Sequence, residues 1–227
     1  MIKLLILDLD GTLIDAKELH FKALNEALRF WNSQQNNPIP NLEISEEDKE
    51  NYEARRTIDK LNRLSGDKGL PIEAHTEINT LKQRFTYDYI DDLIKLEDYK
   101  KQRLILSYLH NKYQIHCATN CKINSARLML AQSGLLQYID YLLPGDYVTK
   151  PKPHPLCFLQ CMVIAEVEPR EVLIIEDSPV GLMAASKSGA YVMKVDTPFS
   201  YSLEDILLKI EQAEHSEFWD DFKQDFK

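Results

Sequence analysis

Two carboxylates, Asp8 and Asp10, stand two residues apart directly after the first apolar run of the chain, KLLIL. Gly11 follows them, at the point where a buried strand is expected to end. Acids this close together repel each other unless a cation neutralises them. The pair therefore points to a reactive or ion-binding site at the edge of the core.

Polar residues end two further apolar runs of strand length. Thr119 and Asn120 follow YQIHCA, and Glu176 and Asp177 come at the end of EVLII. In an open sheet of parallel strands, ligands bind beyond the carboxyl ends of the strands. We therefore expect these residues to meet Asp8 and Asp10 at one edge, where oxygen ligands of this kind suit Mg²⁺.

Alternating strands and helices predict an α/β fold, a doubly wound, Rossmann-like parallel sheet with a helical insert. The periodicities place strands at 2–8, 113–119, 138–146 (a short strand plus a loop), 171–177 and 190–195. They place helices at about 98–112, 123–133, 155–165 and 180–189, one before each strand after the first. Gly134 is the expected C-terminal cap of the second of these helices.

The segment that follows the first strand is charged and amphipathic, without a convincing strand from Ile44 to about Ile94. We interpret it as a helical bundle interrupted at 64–71. The predicted domains are an α/β core of residues 1–15 and 96–227 and a helical insert of residues 16–95. Hinges between them are expected near 14–17 and 92–98.

The composition limits the function classes. A formal net charge of −9 over 227 residues argues against nucleic-acid binding. The apolar N-terminal stretch is too short for a signal peptide or a membrane span, so we expect a cytoplasmic protein with no membrane partner. Four cysteines fit reduced thiols. Their three-residue spacings, Cys117 with Cys121 and Cys157 with Cys161, disfavour a structural zinc site.

Four motifs in order resemble those of the haloacid dehalogenase superfamily, and the resemblance runs from Ile2 to about Val195. They are DLDGT, the strand-ending Thr119, a Lys-Pro-x-Pro loop within TKPKPHP, and EDSPVG. The insert resembles the small helical cap of phosphoglycolate-phosphatase-like and β-phosphoglucomutase-like members. The resemblance implies a phosphoryl-transfer enzyme with an aspartyl-phosphate intermediate.

The resemblance also implies roles for individual residues. Asp8 is expected to be the nucleophile and Asp10 the general acid and base. Thr119 and Asn120 are expected to bind the phosphoryl group. The loop offers two registers, at Lys150 or Lys152; we choose Lys152, because the aromatic residue that the family has six positions later is then Phe158. Mg²⁺ is expected between Asp8, the backbone carbonyl of Asp10 and Asp177, with Glu176 binding it directly or through water.

The resemblance extends to residues of the cap. Arg56 resembles a residue of the substrate-specificity loop, although the family's glycine is missing there; a solvated helix face is the alternative. Lys82 has the position of a cap lysine in some relatives. His20 stands where β-phosphoglucomutase-like members have a histidine that positions the substrate or the general acid; a packed or solvated histidine is the alternative. Asp15 is expected to be a helix N-cap or a hinge residue.

The leading hypothesis is a Mg²⁺-dependent phosphatase of a small phosphorylated metabolite such as a sugar phosphate. A phosphomutase of the β-phosphoglucomutase type uses the same residues and is the alternative. A non-catalytic binding protein with this fold is a third reading, which the complete catalytic set disfavours. We expect a monomer and leave a dimer open.

Overall fold

The computed structural model describes residues 1–52 and 55–215. Its centre is a parallel sheet with the strand order β3-β2-β1-β4-β5. The strands are β1 (Leu4–Leu7), β2 (Gln114–Ala118), β3 (Tyr141–Leu143), β4 (Val172–Glu176) and β5 (Tyr191–Lys194). This arrangement confirms the predicted α/β class and its doubly wound parallel sheet.

Residues 1–52 and 55–215 contain eight α-helices, and the last five of them cover the two faces of the sheet. The eight helices are α1 (Lys17–Ser33), α2 (Thr57–Lys68), α3 (His75–Leu93), α4 (Lys100–His110), α5 (Ile123–Gln132), α6 (Leu156–Ile164), α7 (Pro179–Ser186) and α8 (Leu203–Glu214). Successive side chains of β1 point to opposite faces of the sheet, as the pleat of a strand requires. Leu5 and Leu7 pack with α4, α5 and α8, whereas Leu4 and Ile6 pack with α6 and α7.

The central position of β1 explains its composition. All four of its residues are fully buried, because parallel strands with helices on both faces have no solvent side. Leu7 pairs with Cys117 of β2 and with Ile175 of β4. The carboxyl ends of these three strands therefore lie side by side, which is the arrangement that the site needs.

The first three helices form a separate hydrophobic cluster. Phe21, Leu24 and Leu28 of α1 pack with Leu61 of α2 and Ile78 of α3. One end of α1 and one end of α3 also pack against the core of the sheet, through Leu19 and Ile90 respectively. The helices thus form a cap over the sheet edge, while the boundaries at 15/16 and 95/96 stay a prediction.

Two local expectations differ from the structure in part. The break expected at 64–71 begins later, since α2 runs to Lys68 and Gly69 ends it with φ 74°. Asp15 is not the N-cap of α1; Ala16 is, without a side-chain cap. The backbone N–H of Asp15 donates to the Tyr99 hydroxyl at 3.2 Å, and the alternative role of Asp15 as a hinge residue stays a prediction.

Other expectations agree with the structure. Gly134, with φ 72°, follows the end of α5, and Cys157 and Cys161 are buried on α6. Each predicted strand is present with ends one to several residues shorter. Within the ranges 1–52 and 55–215, no helix is both long and apolar enough to cross a bilayer. The aromatic C-terminal tail at 217–227 lies outside the described residues.

Candidate active site

The carboxyl ends of the three central strands bring the predicted acids together. Asp8 follows β1, and its backbone N–H donates to the carbonyl of Ile175 on β4 at 3.0 Å. Glu176 is the last residue of β4 and Asp177 follows it. Side-chain oxygens of Asp8, Glu176 and Asp177 all lie within 4.8 Å of one another, and all three residues are buried. Sheet topology alone therefore assembles three carboxylates from two strands.

Lys152 supplies a positive charge to this cluster. Its Nζ lies 2.5 Å from Oδ1 of Asp8 and 2.6 Å from Oε2 of Glu176. Its ammonium also lies 4.9 Å from the centre of the Phe158 ring. Burial opposes the charge, but Asp8 and Glu176 outweigh it and raise the pKa of Lys152 well above its usual value. Lys150 is exposed, so Lys152 is the lysine that reaches the carboxylates.

Both carboxylate oxygens of Glu176 accept hydrogen bonds. While Oε2 accepts from Lys152, Oε1 accepts from the backbone N–H groups of Asp177 and Ser178 and from the Ser178 hydroxyl, at 3.0 to 3.1 Å. Gly181 of α7 lies directly against this carboxylate, since a Cβ there would be 2.0 Å from its Cδ. Glu176 is therefore packed and hydrogen-bonded in a single position, holding Lys152.

Asp177 contacts one residue of the DLDGT motif and one residue of α1. Its Oδ1 accepts from the Thr12 hydroxyl at 3.1 Å, and its Oδ2 lies 2.8 Å from Nζ of Lys17. Burial raises the pKa of Asp177, with Glu176 adding to the effect. Burial, followed by the charge of Glu176, also raises the pKa of Asp8 well above its usual value.

This carboxylate cluster fits a divalent metal ion. Two lysines, Lys17 and Lys152, face three buried carboxylates here, so the acids outnumber their cationic partners. A hard divalent cation prefers oxygen ligands of this kind. Asp8, Glu176 and Asp177 thus form an acidic cluster that could hold a metal ion, and the individual magnesium ligands stay a prediction.

Asp10 faces the cap and contacts His20. Nε2 of His20 lies 3.1 Å from Oδ1 of Asp10, and Nζ of Lys82 lies 3.1 Å from Nδ1 of the same ring. Burial, then the charge of Lys82, lowers the pKa of His20. The ring thus lies between the Lys82 ammonium and the Asp10 carboxylate, and a ring that accepts from Lys82 at Nδ1 donates from Nε2 to Asp10.

The charge state of Asp10 follows from these neighbours. Burial alone opposes ionisation, but the interaction with His20, together with Lys82 and Lys60, holds the pKa of Asp10 below its usual value. The two acids of the DLDGT motif thus have opposite pKa shifts. Asp8 belongs to a crowded anionic cluster, and Asp10 belongs to a cationic one.

The end of β2 contributes the predicted polar groups. The Thr119 side chain is buried, and its Oγ1 accepts from the backbone N–H of Cys121 at 3.0 Å. Oδ1 of Asn120 accepts from the backbone N–H of Lys152 at 3.3 Å, which ties the lysine loop to this strand end. Cys121 lies 3.8 Å from Nε2 of His20. Burial raises the pKa of its thiol, so it stays protonated.

A cavity of about 310 Å³ separates these groups from the cap. All of the predicted site residues except the buried Glu176 line it. Arg56 reaches it from the start of α2, where its guanidinium pairs with Asp59 at 3.1 Å. The remaining cationic lining residues are Lys17, Arg55, Lys60, Lys82 and Lys122. The cavity therefore suits a small anionic molecule.

The family assignment comes from a match over most of the chain. Residues 5–195 match the model of the family described as haloacid dehalogenase-like hydrolase. The chain belongs to this family. The match confirms the resemblance to the haloacid dehalogenase superfamily, and the chain is a hydrolase of the haloacid dehalogenase-like type.

Individual relatives of this haloacid dehalogenase-like hydrolase are phosphatases. It is 26% identical over 185 residues to the fructose-1-phosphate phosphatase YqaB of Escherichia coli, covering 82% of this chain and 92% of that protein. It is also 26% identical over 208 residues to a phosphoglycolate phosphatase of Nitrosospira multiformis, covering 88% and 85%. A β-phosphoglucomutase structure from Clostridium difficile has the same fold, with a TM-score of 0.78 at 21% identity and coverage of 93% and 98%.

Several contacts of the site in this hydrolase do not follow from the sequence pattern. Thr12 lies inside the DLDGT motif but received no role, and only the pairing of β1 with β4 shows that it reaches Asp177. Lys17 could have been noticed as the first residue of the helix after β1, since that helix starts at the sheet edge. Lys60 and Gly181 depend on how α2 and α7 pack, which no local pattern indicates.

Proposed function

We propose that this hydrolase is a Mg²⁺-dependent phosphatase that cleaves a small phosphomonoester through an aspartyl-phosphate on Asp8. The main support is the contact of Lys152 with Asp8 and Glu176, 2.5 and 2.6 Å from Nζ. A fixed ammonium beside a buried carboxylate lets an anionic nucleophile approach an anionic ester. Thr119 and Asn120, at the adjacent strand end, are placed to bind the phosphoryl oxygens.

In the first step, an oxygen of Asp8 attacks phosphorus while the bond from phosphorus to the ester oxygen breaks. The leaving alkoxide takes a proton from the carboxyl group of Asp10. In the second step, water attacks the aspartyl-phosphate, and the carboxylate of Asp10 accepts the proton of that water. The bond between phosphorus and Asp8 breaks, which releases phosphate and restores both side chains.

Asp10 needs a proton in the first step, although its pKa is lowered in the substrate-free protein. An anionic ester bound in the cavity adds negative charge close to this carboxylate. Such a charge raises the pKa of a neighbouring acid, so substrate binding favours the protonated form. His20 holds Oδ1 of Asp10 in one position through both steps.

Asp8 and Asp177 and the backbone carbonyl of Asp10 would hold Mg²⁺. Both oxygens of Glu176 already have protein partners, so we assign Glu176 chiefly to the positioning of Lys152. When bound, the ion supplies charge stabilisation to the phosphoryl oxygens. Lys152 provides a second positive charge at Asp8.

The substrate is proposed to be a soluble phosphorylated metabolite. A cavity of about 310 Å³ is at the lower end of ordinary ligand pockets. YqaB and the phosphoglycolate phosphatase are named for small phosphoesters of this size. Cations of the cap, among them Arg56 and Lys60, favour a substrate with polar or anionic groups beyond the phosphoryl group.

Two measurements test this proposal. Purified protein is incubated with a panel of sugar phosphates and phosphoacids, with Mg²⁺ or with EDTA, and free phosphate is measured. We expect release that depends on Mg²⁺. Acid quenching in the first turnover, followed by mass spectrometry, should find one phosphoryl group on the peptide that contains Asp8. Phosphate release without any modification of that peptide would contradict the covalent mechanism.

A phosphomutase is the second candidate, because His20 contacts Asp10 as expected from its resemblance to the histidine of β-phosphoglucomutase-like members. The two functions differ in the acceptor of the phosphoryl group, which is water in a phosphatase and a sugar hydroxyl in a mutase. A hexose 1-phosphate should give free phosphate if the proposal is right. Accumulation of the hexose 6-phosphate would favour the mutase.

A further inference from the structure

Lys17 reaches the acidic cluster from the start of α1. Its Nζ lies 2.8 Å from Oδ2 of Asp177, and its side chain lines the cavity. The stem passes over Gly11, where a Cβ would lie 2.6 Å from Cε of Lys17 and 2.2 Å from Oδ2 of Asp177. The missing side chain at Gly11 is therefore what allows the ammonium to approach this carboxylate.

Oδ1 of Asp177 accepts a hydrogen bond and Oδ2 has an ion-pair partner, and these two partners differ in exposure. Thr12 binds Oδ1, is fully buried, and has its carbonyl held by the Tyr201 hydroxyl at 3.0 Å. Lys17 binds Oδ2 through a side chain that is 36% exposed. A metal ion that takes an oxygen of Asp177 must displace or share one partner, and the long, partly solvated lysine is the easier one to move.

We propose that Lys17 is a tethered cation that competes with the divalent metal ion for Asp177. In the ion-free protein its ammonium partly neutralises the buried carboxylate. Ion binding moves it away from Oδ2, so Lys17 sets the Mg²⁺ concentration at which the enzyme is loaded. The inference rests on the Mg²⁺ site of the proposed function, and it assigns to this chain a control of metal affinity by one of its own side chains.

Electrostatics sets the expected direction of the effect. The ion must break a Lys17–Asp177 ion pair and then bind close to a like charge, and both effects weaken its binding. A substitution that removes the ammonium and keeps the apolar stem abolishes both the ion pair and the repulsion of the ion. A substitution that keeps the positive charge preserves both effects. Lys17→Met and Lys17→Arg are therefore the matched pair of variants.

Titration calorimetry of the substrate-free protein with Mg²⁺ measures the effect directly. We expect Lys17→Met to bind Mg²⁺ about three- to fivefold more tightly than the unsubstituted protein, the upper part of the range of a partly exposed ion pair. Lys17→Arg should stay within about twofold. Lys122→Met is the control for the general field, since Lys122 lines the same cavity from the start of α5, and we expect less than about a twofold change.

Thermal unfolding gives a second readout that does not depend on activity. Mg²⁺ should raise the Tm of Lys17→Met by more than it raises the Tm of the unsubstituted protein, because tighter binding stabilises the folded state more. Unchanged or weaker Mg²⁺ binding by Lys17→Met overturns the inference, and so does equal tightening by Lys122→Met. If the unsubstituted protein binds no Mg²⁺, the metal site of the proposed function fails, and the inference fails with it.

Discussion

The two walls of the cavity are built differently. On the core side, Asp8, Thr119 and Asp177 follow strands of one sheet and Lys152 contacts Asp8, and each of these residues is less than 10% exposed. On the cap side, long side chains of α1, α2 and α3 reach across a gap from helices with their own hydrophobic cluster. The core wall thus has fixed groups for phosphoryl chemistry. The cap wall has adaptable cations that suit recognition of the remainder of the substrate.

Substitution of Asp8 should have the largest effect and should leave the fold intact. Asp8→Asn removes the nucleophile and weakens the metal site, and we expect kcat to fall by more than about 10³-fold. Thermal unfolding should show a Tm equal to or above that of the unsubstituted protein, since a crowded buried charge is lost. Retention of more than a few per cent of the activity would exclude Asp8 as the nucleophile.

Gly181→Ala tests the rigidity of the core wall from a residue that does not touch the substrate. The new Cβ would lie 2.0 Å from the carboxylate of Glu176, so Glu176 must move and carry Lys152 with it. A displacement of about 1 Å is expected to lower kcat/KM by about 10²-fold.

Gly66→Ala is the matched control for Gly181→Ala on the cap side. Gly66 lies inside α2, and a Cβ there meets no atom within 4 Å. We expect unchanged kcat/KM and a free energy of unfolding higher by about 0.5–1 kcal/mol, because alanine is the better helix former. Equal losses of activity in the two variants would show that the walls do not differ in rigidity.

The same difference between the core wall and the cap wall explains which site residues could be predicted from the sequence. Apolar runs that end in acids locate Asp8, Asp10, Glu176 and Asp177, because a buried parallel strand has a simple local pattern and its carboxyl end has a fixed place. Phe158 similarly distinguishes Lys152 from Lys150. The contacts of Thr12, Lys17 and Lys60 escaped notice, since they depend on how separate helices and loops fold onto the sheet edge.

Lys82 tests whether the cap takes part in chemistry as well as recognition. Lys82→Met removes the donor to Nδ1 of His20 while keeping a side chain of similar length. His20 is then less firmly oriented toward Asp10, and we expect kcat to fall about tenfold with a smaller change in KM.

A double-mutant cycle with His20→Asn identifies the path of this effect. If Lys82 acts through His20, the two losses are not additive, and Lys82→Met has little further effect once His20 is replaced. Additive losses would instead indicate that Lys82 contacts the substrate directly. In that case the cap wall would serve recognition alone.

Arg56 should show the smallest effect and the strongest dependence on the substrate. Its ion pair with Asp59 is about one-third exposed on both sides, so breaking it costs little stability. Arg56→Ala is expected to raise KM about three- to tenfold for an ester with a second anionic group, with kcat nearly unchanged. For p-nitrophenyl phosphate, which lacks such a group, KM should change by less than about twofold. Equal increases in KM for both esters would place Arg56 at the phosphoryl group, and the division between a chemical wall and a recognition wall would be wrong at that residue.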